Sequence, residues 1–168
     1  MKKQKSSKDA FDTVCWHYSI IADPYQVFAE AFSFSEMCSF LRMIKKILHY
    51  SAEDVIYRDD SPSHVLLYMK IIRSLIKAAY QLKEKKQSVI EVSEHQVFNK
   101  NYYCSHINSP TQWQDFPRFL SVKEFCNPYK AFRKFFKYQS MDIWLHDWEE
   151  MVDYALSEYN GGTEINMI

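Results

Sequence analysis

Apolar residues recur along this chain at helical spacing, and they do so twice in the same order. Met37, Phe40, Leu41, Ile44, Ile47, Leu48 and Ser51 fall at i, i+3, i+4, i+7 intervals. Met141, Trp144, Leu145, Trp148, Met151, Val152 and Ala155 occupy the equivalent places. That period lays the side chains on one face of a helix. A shorter helix is expected before each stripe, opened by Asp23-Pro24-Tyr25 and by Asn127-Pro128-Tyr129. Asp and Asn are favoured N-caps, and a proline at the first helical position gives up only an N–H that would go unpaired. Phe28 and Phe32, like Phe132 and Phe136, then sit four apart on one face. A break is expected at 33–35, with Ser33 and Glu36 forming a capping box, and another at Gln139-Ser140, with Ser140 as cap.

The two stretches align without a gap, so the sequence predicts an internally duplicated helix–loop–helix unit at about 23–52 and 127–156. The polar faces of the copies differ in sign. Arg42, Lys45, Lys46 and His49 correspond to His146, Glu149, Glu150 and Asp153, while Ala29, Glu30 and Ser33 correspond to Arg133, Lys134 and Lys137. Shared stripes with opposite rims suggest two copies packed about an approximate dyad.

Three other segments are predicted to be helical or capped. Phe11, Val14, Cys15 and Tyr18 make a stripe that ends at Asp23-Pro24. Ser61-Pro62 opens the broadest stripe, Val65, Tyr68, Met69, Ile72, Leu75, Ile76, Ala79 and Leu82, widened by Leu67, Ile71 and Ala78. A helix this apolar belongs near the middle of a bundle. Ser121 and Glu124 form a capping box before the second copy. Residues 87–120 carry no helical period and are read as an irregular aromatic insertion. The ends, 1–8 and 161–168, read as loose tails.

Composition supports helices. Gly161 and Gly162 are the two glycines of the 168 residues, so the body lacks the residue that tight hairpins lean on. The fold expected is all-α: a single-domain helical bundle of about six helices. Net charge is zero, which removes any global field toward nucleic acid or membrane. No apolar run is long enough to span a bilayer. The basic start precedes no apolar stretch, and the four cysteines are scattered, so a cytoplasmic protein with reduced thiols is expected.

Several residue sets carry candidate chemistry. Cys15, His17, Cys104 and His106 are zinc-ligand types, but each Cys-His pair is too closely spaced for a structural site, and Cys15 lies on an apolar stripe. No metal or cofactor is expected. Arg58 and His64, at the mouth of a long helix, resemble the Arg-x(4–6)-His pattern of HEPN-type ribonucleases. The resemblance covers those two residues and implies that the arginine steadies phosphate charge while the histidine moves a proton. Asp59 departs from the polar residue usual after that arginine, and with Asp60 it would repel an RNA phosphate. The alternative is that both carboxylates favour the helix N-terminus. Lys130, Arg133, Lys134 and Lys137 form a basic stripe that could hold a nucleic-acid backbone beside stacking tyrosines, or serve as a solvated face.

These observations point to a non-catalytic helical interaction module. It is expected to bind a protein partner, or itself, through aromatic residues of the insertion: Tyr102, Tyr103, Trp113 and Phe116. The second reading is a nucleic-acid-binding or RNA-cleaving protein using Arg58, His64 and the basic stripe.

Overall fold

The structure, a computed structural model, describes residues 22–53, 55–59, 61–84 and 120–157. Six helices and no strand occur among them, so the fold is all-α. The stripe expected before Asp23 and the insertion up to residue 119 lie outside the described residues. Contacts gather the chain into two compact units, one holding described residues 22–81 and 140–157, the other 82–84 and 120–139.

In the first unit, α1 (Pro24–Phe34) starts as the sequence predicts. Asp23 is extended, at φ −92° and ψ 119°, and its carboxylate accepts the Tyr25 N–H at 3.0 Å. The helix runs on through Phe34, so Ser33 lies inside it and the expected box with Glu36 does not form. Glu36 is instead the N-cap of α2 (Met37–Ala52) and makes no side-chain capping bond. The hydroxyl of Ser35, in the two-residue break, pairs with that of Tyr68 at 2.8 Å.

α3 (Pro62–Glu84) is capped by Ser61, whose hydroxyl accepts the Ser63 N–H at 3.4 Å and whose carbonyl accepts the His64 N–H at 2.9 Å. Ile71 and Ala78, predicted at the edges of its stripe, are fully buried. The reason is α1, which sets Val27 against Ala78, and with Phe40 sets Ala31 against Ile71.

α6 (Met141–Leu156) begins at Ser140, whose hydroxyl accepts the Ile143 N–H at 3.4 Å. Met43, Ile47, Tyr57, Val65, Trp148, Val152 and Ala155 form the main core cluster of this unit. The connector from α2 to α3 is tied to the end of α6 by a bond from Tyr57 N–H to the Ala155 carbonyl at 2.9 Å. Two serines are buried along the helices, and each bonds a carbonyl of its own helix: Ser51 to Leu48 and Ser74 to Lys70, both at 3.0 Å. Neither leaves a buried hydroxyl orphaned.

The second unit contains α4 (Val122–Phe125) and α5 (Pro128–Tyr138). The predicted box forms at α4. Ser121 N–H donates to Glu124 at 2.8 Å, and Glu124 N–H returns a bond to the Ser121 hydroxyl at 3.3 Å. Asn127 departs from expectation. It stands at the N-cap of α5 with φ −143° and ψ 87°, and its side chain makes no capping bond. It is buried with its Oδ1 unsatisfied, turned away from the helix it was expected to cap.

The helix boundaries of the two repeat copies coincide under the alignment that pairs Pro24 with Pro128. Their burial does not. Leu48 of α2 is 45% exposed, while its counterpart Val152 of α6 is 0% exposed. α2 turns Phe40, Met43, Ile47 and Ser51 inward; α6 turns Trp148, Val152 and Ala155. The two long helices therefore bury different parts of their shared stripe. The cause lies in residue type, because the counterpart of buried Met43 is Asp147, which costs far more to desolvate.

Candidate docking surface

The inward roll of α2 leaves part of its apolar stripe uncovered. Met37 is 54% exposed, Leu41 39% and Leu48 45%, with half-buried Ile44 between the last two. The steps between these four residues are four, three and four, which is the a/d spacing of a heptad seam. They form one row along the helix, next to the buried face rather than opposite it. The sequence identified these residues as core, and the structure shows that three of them are not.

Aromatic contacts hold the α1–α2 corner at the head of this row. Phe40, itself buried, meets Tyr68 edge-on at 5.2 Å between centroids, and Phe34 meets the same ring at 5.9 Å. Phe32 stands edge-on to Phe40 at 5.9 Å and is stacked on Phe28 at 6.4 Å. Phe32 and Phe34 therefore expose much of their surface while their rings are held by neighbours. Edge-to-face geometry of this kind is favourable in itself and limits the motion of an exposed ring.

The open edge of the row is cationic. Arg42 and Lys45 are exposed and have no carboxylate partner among the described residues. His49 lies 3.9 Å from Glu53, and Lys46 is held by Asp59 at 3.1 Å.

Asp59 has partners that its position before α3 does not announce. Its carboxylate accepts the Tyr50 hydroxyl at 2.8 Å and pairs with Lys46, which ties the connector to α2. Those two bonds, Tyr50 first, hold its pKa below the ordinary carboxylate value, and the same bond to Asp59 raises that of Tyr50. Arg58, in the connector, and His64, in the first turn of α3, are both exposed. Neither side chain makes a hydrogen bond or ion pair among the described residues.

In the second unit Lys130, Arg133, Lys134 and Lys137 are all exposed on α5. Lys134 pairs with Glu124 at 2.9 Å, and the Arg133 Nε donates to the Tyr129 carbonyl at 3.2 Å. Lys130 and Lys137 make no ion pair among the described residues. Tyr138 is 81% exposed at the end of the same helix. Tyr102, Tyr103, Trp113 and Phe116 lie outside the described residues. The row on α2 was legible as an apolar stripe, but its exposure depends on how far α2 rolls, which no spacing encodes.

Among the described residues no three metal-ligating side chains come together, and no helix is long and apolar enough to cross a membrane. No family model, curated protein or solved structure matches this chain.

Proposed function

We propose that this protein is a non-catalytic helical interaction module whose docking surface is the uncovered row on α2, continued by the held rings of the α1–α2 corner. One observation carries the reading: Met37, Leu41 and Leu48 stand exposed at heptad spacing on a helix whose adjacent face is fully packed. A row of large apolar residues fixed on a rigid helix is what a helix-in-groove or paired-helix contact requires. Each such side chain is already about half buried, so covering the remainder contributes about 1 kcal/mol. Rigidity of the corner lowers the ordering cost of binding. A photoreactive residue placed at Leu41 tests the surface. A discrete larger adduct is expected there and not from the same residue at Glu30, and Leu48→Ser should reduce its yield. Adducts equal at both positions would remove the proposal.

The α5 face supports a second reading, nucleic-acid binding, because Lys130 and Lys137 are exposed and carry no ion pair among the described residues. It predicts binding of single-stranded RNA that weakens steeply with salt and is lost in the double variant Lys134→Glu, Lys137→Glu. Salt-independent or absent binding removes it. Cleavage through Arg58 and His64 would further require that Arg58→Ala and His64→Ala each abolish product formation.

A further inference from the structure

The row on α2 is asymmetric, and its asymmetry identifies the class of partner. In the heptad frame set by Met37, Leu41, Ile44 and Leu48, the positions on one side are Phe40 and Ile47, both buried in the core. The other side carries Lys45 directly beside the seam, with Arg42 and His49 one step further round. A helix laid on the seam therefore meets the packed protein along one edge and, along the other, Cys38 and two cations without a carboxylate partner among the described residues, Lys45 and Arg42. Flanking positions of this kind choose partners by charge.

We propose, resting on the docking reading above, that the occupant is an amphipathic helix of another protein, with leucine-type residues at its a and d positions and carboxylates along its flank. A second copy fits less well. Pairing α2 with α2 would set no carboxylate opposite Lys45, because the flanking positions of the seam are Cys38, Phe40, Lys45 and Ile47. The acidic face of α6, with Asp142, Glu150 and Asp153 exposed, offers Ile143 as its exposed large apolar residue and so cannot fill a three-residue row. Charge therefore admits a foreign acidic helix where apolar matching alone would admit either.

The test uses the full chain and two fluorescent three-heptad peptides, both with leucine at a and d. One carries glutamate at e and g, the other lysine, so neither pairs with itself. By anisotropy the glutamate peptide is expected to bind about tenfold more tightly or better, since each of two cations attracts one peptide and repels the other. Arg42→Glu with Lys45→Glu should reverse the order, and Leu41→Ser with Leu48→Ser should weaken both peptides. Equal affinities that still depend on Leu41 and Leu48 would overturn the acidic partner while leaving the docking surface standing. Binding that ignores Leu41 and Leu48, or no binding of either peptide, would overturn both. A dimer seen by sedimentation and lost in the Leu41→Ser, Leu48→Ser variant would assign the seam to a second copy and overturn the proposal.

Discussion

The indole N–H of Trp148 donates to the backbone carbonyl of Met69 at 3.1 Å, across 79 residues of chain. The next residue, Glu149, lies 2.8 Å from Arg73, one turn further along α3, at ion-pair distance rather than as an aligned hydrogen bond. Two neighbours on α6 thus engage two successive turns of α3 and set the register between the helices.

Trp148→Phe keeps the ring and removes the donor. A loss of about 0.5–1.5 kcal/mol is expected in urea unfolding followed by circular dichroism. Trp148→Ala also empties the site in the core cluster, and about 3–5 kcal/mol is expected. Should Trp148→Phe unfold at the wild-type midpoint, the bond to Met69 contributes nothing.

The seam and the core of α2 separate by substitution. Leu41→Ser and Leu48→Ser, both at exposed positions, should each change stability by no more than about 0.5 kcal/mol. Ile47→Ala, at a site 0% exposed, should cost about 2–5 kcal/mol. A large loss from either serine variant would show that the row is covered in solution by part of this chain.

The helix starts of the two copies are predicted to respond unequally. Asp23→Ala removes a capping bond that exists and should cost about 0.5–2 kcal/mol. Asn127→Ala removes a side chain that caps nothing and whose Oδ1 is buried without a partner, so its cost should be smaller. Thermal melts of both variants decide the order; equal losses would restore Asn127 as a working cap.

Glu124 carries a pH dependence. The Lys134 ammonium, then the backbone N–H and hydroxyl of Ser121, hold its pKa down from 4.5 to about 2. A depressed carboxyl stabilises the folded form fully above its unfolded value and loses that contribution as pH falls from 4.5 toward about 2. The Ser121 amide resonance should titrate in that window, and Glu124→Gln should abolish the change. A midpoint near 4.5 would mean the pair with Lys134 does not persist in solution.

Much of the local structure was legible before any tertiary contact was known. The proline starts at Pro24, Pro62 and Pro128, the caps at Asp23 and Ser140, and the Ser121–Glu124 box all follow from rules that act within a few residues. The boundaries of the two copies match although Asn127 and Glu36 make no side-chain capping bond where Asp23 and Ser140 do. Local rules failed in two ways: Asp59 is engaged by Tyr50 and Lys46, and Asn127 is buried with its Oδ1 unsatisfied.

What the amino-acid order determined by itself, among the described residues, is which segments are helical, most of their starts and the position of their apolar stripes, because propensity, capping and period are short-range. Which part of each face is buried was decided only in the tertiary structure. The same stripe lies inward on α6 and half outward on α2, because packing responds to every neighbour at once and Met43 can enter a core that Asp147 cannot. The uncovered row on α2, and with it the proposed function, exists through that difference.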